Sequence, residues 1–425
     1  MDGRDGEESA FAPHIETFAE THAGAEIVVA QTAQGTVIAL DAASGAPLWR
    51  WVTHDPHANV ERAGERIFVS TAISDRPMWV ELDPAPAQPD TAENRAQTFS
   101  RTHTRTRPVA VTALRASDGA VLWRTPFYCL AIGPNVRAEI MVAGDMLLTA
   151  ALSFERGTSE LLALDIATGA PRWRHRLGPM PLISGTGHPR VLWAAEDRLA
   201  VFTIGEPREA KYLILDAMTG AVLWQGEQAP DHASALPLQE TSGMRFTIDH
   251  VITWPHHIVR ATRAESGVES GDEVWRMSLD ELLRGRTVET SLLAEDGRLY
   301  LFWRNDSAMR LRAMRATTGQ VLWRWRSPVW VYALFLARQA IQRGQQASRT
   351  GHWRPLVSDA LRFRWLHPIR PNGACSVVAA SGRLYLATPL GACAISARDG
   401  RQLWHALPGI AVTRLHIAVH SHGVQ

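Results

Sequence analysis

The chain has 425 residues, 46% of them apolar, which is enough to bury a large core in one repeat domain or two ordinary ones. Its 44 basic and 43 acidic residues leave a formal net charge of +1, excluding a globally basic nucleic-acid binder but not a locally basic face. Lys211 is the single lysine, so Schiff-base and P-loop lysine chemistry finds no support.

Read from the N-terminus, residues 1–11 form a flexible segment rich in acids, and the first twenty residues carry Asp2, Asp5, Glu7, Glu8, Glu16 and Glu20. They hold no apolar run of signal-peptide length. The most apolar stretch further on, Val329 to Ala337, is too short to span a bilayer. The expectation is a soluble, cytoplasmic chain. Cys129, Cys375 and Cys393 lack the spacing of a disulfide framework or of a zinc or redox pair and are expected to be buried thiols.

From residue 12 to residue 420 one pattern recurs: glycine, three residues, then tryptophan. It occurs at Gly45/Trp49, Gly119/Trp123, Gly169/Trp173, Gly220/Trp224, Gly271/Trp275, Gly319/Trp323 and Gly400/Trp404, where chance would give about one such pair. Around each copy two short alternating apolar runs flank a polar turn, as in Ala39 to Trp49 and Ala163 to Trp173, which predicts a hairpin with its glycine in the left-handed region. A second hairpin precedes most copies, for example Ala294 to Phe302 and Ala380 to Ala387. Each unit therefore has four strands. The tryptophans mostly lie about fifty residues apart, within the range of propeller blades.

The Ala-x-Asp-x-x-x-Gly-x-x-x-Trp pattern resembles the tryptophan-docking motif of the pyrroloquinoline-quinone-type (PQQ-like) β-propellers. That family includes quinoprotein alcohol dehydrogenases and a non-enzymatic outer-membrane assembly lipoprotein. The resemblance implies an all-β propeller of about seven four-stranded blades, with an eighth as the alternative, in which each indole packs on the adjoining blade. Ile214 departs from the alanine, Arg115, Arg315 and Ser396 depart from the aspartate, and the copy at Gly271/Trp275 lacks a matching Ala-x-Asp. These residues are expected to serve packing, with all seven tryptophans largely buried. The tail from Val412 to His420 alternates like a further strand that closes the ring with the N-terminal segment or begins an eighth blade.

The family's enzymes use adjacent cysteines beside the quinone, a calcium site and an aspartate base. No adjacent cysteines occur here and no catalytic residue carries over, so PQQ with calcium is not expected, nor is any metal centre. His416, His420 and His422 are read as exposed tail histidines, and His256-His257 carries a weaker signal still. No HExxH, Gly-rich phosphate loop or GxSxG elbow is present.

The excess length sits at 76–108, within the second blade, and at 326–373, between the sixth and seventh. Strand alternation predicts that both insertions leave at one end of the disc. Residues 95–107 carry a net +4 and residues 326–373 a net +7. Aromatics are interleaved in the second. Ser327 as N-cap and Pro328 at the first helical position predict a helix over 327–346. Arg101, Arg105, Arg107, Arg338, Arg343, Trp353 and Arg354 are the candidate partner-binding residues. The expected function is a non-catalytic scaffold binding a protein partner through this face. An anionic ligand or membrane surface ranks second, and sequence-specific nucleic-acid recognition is not expected. The competing reading is a PQQ-dependent oxidoreductase or ligand sensor.

Overall fold

Each motif folds as a hairpin that its glycine makes possible. The computed structural model of the chain describes residues 14–19, 25–53, 55, 58–73, 78–81, 103–130, 140–153, 158–179, 190–194, 198–204, 210–226, 239–250, 257–263, 273–278, 287–305, 308–327, 377–388, 391–408 and 410–419. In it Gly45, Gly119, Gly169, Gly220, Gly319 and Gly400 have φ between 69° and 75°, a region that disfavours residues with a Cβ. The glycine N–H donates to the carbonyl four residues back, Gly45 to Asp41 at 2.7 Å and Gly169 to Asp165 at 2.8 Å. The motif aspartate accepts from the turn, as Asp41 does from the Ser44 N–H at 2.7 Å. Where Arg115 takes its place the same backbone bond forms, from Gly119 at 2.8 Å, and Asp118 caps the Ala120 N–H at 3.0 Å. The departures from the motif therefore keep the turn.

The strands in chain order are β1 (His14–Thr17), β2 (Glu26–Thr32), β3 (Val37–Asp41) and β4 (Pro47–Val52); β5 (Asn59–Ala63), β6 (Arg66–Ala72), β7 (Met78–Glu81), β8 (His103–Arg115) and β9 (Val121–Leu130); β10 (Ile140–Ala143), β11 (Met146–Ser153), β12 (Thr158–Asp165) and β13 (Pro171–Pro179); β14 (Arg190–Ala194), β15 (Arg198–Ile204), β16 (Ala210–Asp216) and β17 (Val222–Gly226); β18 (Gln239–Thr241), β19 (Met244–His250), β20 (His257–Arg263) and β21 (Glu273–Ser278); β22 (Thr287–Glu295), β23 (Arg298–Asn305), β24 (Ala308–Arg315) and β25 (Val321–Arg326); β26 (Val377–Ala380), β27 (Arg383–Thr388), β28 (Gly391–Ser396) and β29 (Gln402–Ala406); and β30 (Val412–Val419). They form seven antiparallel sheets. These are the blades of a β-propeller.

The tail closes the ring. β30 pairs with β2 from Glu26 opposite Val419 to Thr32 opposite Val412, becoming the inner strand of the first sheet, whose order is β1-β4-β3-β2-β30. This settles the alternative of an eighth blade for the described residues, because the strand that would begin one completes the first. His416 lies on this strand with Nε2 closed off from solvent, so its reading as an exposed tail histidine is corrected. His420 and His422 lie outside the described residues, as do Cys375 and Gly271. Cys129 and Cys393 are buried as expected.

Blade-to-blade contact repeats one arrangement. The indole N–H groups of Trp49, Trp123, Trp173, Trp275, Trp323 and Trp404 donate to the backbone carbonyls of Ala116, Ile166, Ala217, Ala316, Ala397 and Ala42 on the next blade, at 2.8–3.2 Å. Each ring also lies on the next motif glycine, where an added Cβ would meet it at 3.0 Å for Gly119 against Trp49 and 2.8 Å for Gly45 against Trp404. Inside these contacts the facing sheets bury their apolar rows, such as Val29, Val60 and Val69 between blades one and two and Val28, Leu40 and Ala394 between seven and one.

The expectation that all seven indoles are largely buried needs correcting. Trp49 is fully buried and five others are half-buried, but Trp224 of blade four is 39% exposed and makes no indole N–H bond among the described residues. In the next blade Ala261 faces Trp275 across fourteen residues of chain, where Ala313 faces Trp323 across ten, and the motif glycine that would meet Trp224, Gly271, lies outside the described residues. The Trp224 ring lies instead over Gly226, where a Cβ would come within 2.4 Å of it.

No helix occurs among the described residues. The helix expected over 327–346 lies outside them except at Ser327, which continues β25: its N–H donates to Met309 O at 2.9 Å and its hydroxyl accepts the Met309 N–H at 3.0 Å. That hydroxyl holds a strand, not a helix N-terminus. The docking geometry makes a graded prediction. Trp49→Ala is expected to cost about 3–5 kcal/mol, the usual penalty for deleting a buried aromatic, and Trp224→Ala less than about 1 kcal/mol. Chemical denaturation of both variants checks this, and equal losses would contradict it.

Candidate partner-binding site

Two of the candidate residues, Arg105 and Arg107, lie on blade two, whose third and fourth strands run past the end of its second. β8 pairs with β6 from Arg115 up to Val109, and the Ile73 N–H donates to Pro108 O at 2.9 Å as the last bond to the blade. Beyond that point β8 continues between two partners, with β7 pairing from Thr106 to His103 and β9 running alongside to Leu130. A three-stranded ribbon therefore projects past the end of β6. Arg105, opposite Trp79, and Arg107, opposite Cys129, are two residues apart on β8 and share one face of this ribbon.

The stretch read as a loop from Arg95 to Arg107 is thus strand from His103 onward. The alternation Thr104-Arg105-Thr106-Arg107, with β-branched residues at every second place, is the strand signal that its charge count obscured. Arg101, Arg338, Arg343, Trp353 and Arg354 lie outside the described residues.

A polar cluster unnoticed in the sequence sits where the inner strands of blades one and two meet. Arg414 of β30 donates to Asn59 Oδ1 and lies 3.7 Å from Glu61, both on β5. Burial pushes the Glu61 carboxyl up to about 7 despite the attraction of Arg414. His416 is pushed down to about 4, chiefly by burial and further by Arg414 and Arg62, with a backbone hydrogen bond to Val60 opposing. Sequence periodicity could not reveal this group, because its members lie more than 350 residues apart and meet only when the ring closes.

Among the described residues no three His, Cys, Asp or Glu side chains converge as a metal site. Cys129 lies on blade two and Cys393 on blade seven, and complete burial pushes the Cys393 thiol up to about 12, which keeps it protonated and unreactive.

Residues 86–252 match the family model described as outer membrane protein assembly factor BamB. No curated protein matches the sequence significantly. Among solved structures the chain is similar to AztD from Citrobacter koseri, at 12% identity and a TM-score of 0.41, covering 94% of this chain and 100% of that one. It is also similar to quinohemoprotein alcohol dehydrogenase from Comamonas testosteroni, at 11% identity and a TM-score of 0.36 over 94% and 66% of the two chains. TolB from Acinetobacter baumannii gives 13% identity and a TM-score of 0.35 over 71% and 63%.

Glu61 makes a pH prediction. Its folded-state pKa of about 7 lies above the ordinary 4.5, so its protonated form stabilises the fold. That contribution is complete below about pH 4.5 and lost as the pH rises through about 7. The melting temperature of the wild type is therefore expected to fall more between pH 5 and pH 8 than that of Glu61→Gln, which keeps an uncharged side chain of the same shape. Parallel curves for the two proteins would refute it.

Proposed function

Because the chain is a β-propeller of PQQ-like repeats, we propose that it is a non-catalytic binding scaffold that holds a protein partner at the end of the disc bearing its two long insertions. The observation that carries this reading is the β7-β8-β9 ribbon, which extends past its blade and sets Arg105 and Arg107 on one face. Strand alternation brings β6 and β25 to their ends on the same side of their blades, the side past which the ribbon extends. Apolar burial and indole docking hold the blades together, and segments that extend beyond such a scaffold are commonly the ones used for recognition. The region matched by the assembly-factor family includes β8 and β9 of this ribbon, which supports a role in holding other proteins.

Heparin serves as the anionic probe of this end. Arg105→Ala combined with Arg107→Ala, and separately a deletion of residues 328–373, are each expected to melt near the wild-type temperature and to elute from heparin at lower salt. Unchanged elution from both proteins would remove the basic-face reading. The cofactor alternative is tested in the same preparation with PQQ and calcium: a ligand at a hundred times its Kd adds about 2.7 kcal/mol of stability, and a matching rise in melting temperature would favour an oxidoreductase or sensor.

A further inference from the structure

One sheet face of blade six carries four arginines that have no acidic partner among the described residues. Arg310 and Arg312 alternate on β24, opposite Arg326 and Arg324 of β25 respectively. Directly opposed residues share a face, so the four form a two-rung ladder. The inner part of that same face packs on blade five through Leu299, Leu301 and Trp303. Arg324 and Arg326 are exposed, while Arg310 and Arg312 are half-buried beside Trp303.

Among the described residues these cations meet no free carboxylate. Glu273 on blade five is engaged by Arg260 at 3.5 Å and Arg276 at 3.7 Å, and among the described residues none of the four ladder arginines has an acidic partner. The Arg312 guanidinium lies 5.7 Å from the centroid of the Trp303 ring and contacts Met277 Sδ at 3.9 Å. Arg310 Nε, Arg312 Nε and Trp303 Nε1 are closed off from solvent and donate to no acceptor. Native proteins rarely leave three buried donors together unsatisfied. Burial and the charge of Arg324 also push the Arg312 guanidinium down from its ordinary value. A surface made only of donors and positive charge is complementary to one class of ligand, an oxygen-bearing anion.

We propose that this ladder is a binding site for an extended acidic peptide segment, whose carboxylates at alternate positions occupy its two rungs. Alternate residues of a strand recur at about 6.6 Å, and an extended peptide presents its own alternate side chains at the same pitch. Carboxylate and guanidinium meet through paired, charge-assisted hydrogen bonds, which suits side chains reaching down to recessed Nε donors. A polynucleotide would use the phosphates but needs exposed rings for stacking, and Trp303 is 3% exposed. A flat lipid surface would reach Arg324 and Arg326 and miss the half-buried pair. The ladder is separate from the blade-two ribbon and adds a second contact of stated chemistry to the scaffold reading, so each can fail alone.

The test measures fluorescence anisotropy of a labelled peptide of alternating glutamate and serine at low salt, with a lysine-serine peptide as control and a thymidine oligonucleotide as competitor. Arg324→Ala with Arg326→Ala removes two exposed side chains and is expected to leave the melting temperature unchanged while weakening the glutamate peptide about tenfold. Arg312→Lys, which keeps the charge but removes a recessed donor, is expected to weaken it by a smaller factor. The ribbon double variant, Arg105→Ala with Arg107→Ala, is expected to bind the peptide as the wild type does. Undiminished binding by the ladder variants, equal loss in the ribbon variant, or tighter ladder-dependent binding of the oligonucleotide would each overturn the proposal. Loss in the ribbon variant alone would leave the scaffold reading standing while removing the ladder.

Discussion

The contact between the indole of one blade and the glycine of the next is the constraint around which the ring is built. It places two demands on a single residue. The glycine must take φ near +70° to turn the chain between the third and fourth strands, and it must present a bare Cα because the neighbouring ring lies where a Cβ would stand. The indole meets the third demand, since its N–H reaches a carbonyl just past the turn, at 2.8 Å for Trp49 and Ala116. Turn, platform and hydrogen bond are thus coupled, which explains why glycine and tryptophan recur together while the aspartate between them can be exchanged for Arg115, Arg315 or Ser396. The seam between blades four and five shows the coupling from the other side. There the chain between Ala261 and Trp275 is four residues longer than its counterpart in blade six, and Trp224 is left partly in solvent.

Closure and edge protection follow from the same architecture. A propeller has a first and a last blade that must be joined, and here β30 crosses the whole sequence to pair with β2, assembling Glu61, Arg414 and His416 at the join. At the rim each fourth strand exposes an edge, and exposed edges invite unwanted pairing. Blade one covers its edge with β1, where the Phe18 N–H donates to Leu48 O at 2.7 Å and Arg50 pairs with Glu16 at 2.6 Å. Leu48 is accordingly 6% exposed, whereas Leu223 in the equivalent place of blade four is 53% exposed. Blade three uses charge instead, with Arg172 bridging Asp145 and Asp165 at 2.6 Å each and holding the Asp165 carboxyl down at about 2.

These structural duties fall mostly on the apolar faces and on the turn end of the blades, which leaves the opposite end free to vary. The long ribbon of blade two rises at that end. In blade six one face of strands β24 and β25 carries Arg310, Arg312, Arg324 and Arg326 beyond the apolar residues that pack on blade five. Positive charge in a protein of net charge +1 is therefore concentrated by position and not by overall composition.

The sequence by itself determined the class of fold, the seven repeats and the hairpin role of the Gly–Trp pairs, because a local signal repeated seven times needs no knowledge of distant contacts. It also located the basic excess near 95–107 and 326–373. Other features were decided only by tertiary structure. Whether the tail strand begins an eighth blade or completes the first depends on a partner nearly 400 residues away. The exposure of Trp224 depends on how the fourth and fifth blades meet. The polar cluster of Glu61, Arg414 and His416 depends on ring closure. The arginine ladder was written plainly as Met309-Arg-Leu-Arg312 and Trp323-Arg-Trp-Arg326, but alternation along one strand says only that arginines share a face. That the two strands oppose those faces in register, with no acidic partner among the described residues, is information that pairing and packing supply and a linear pattern does not contain.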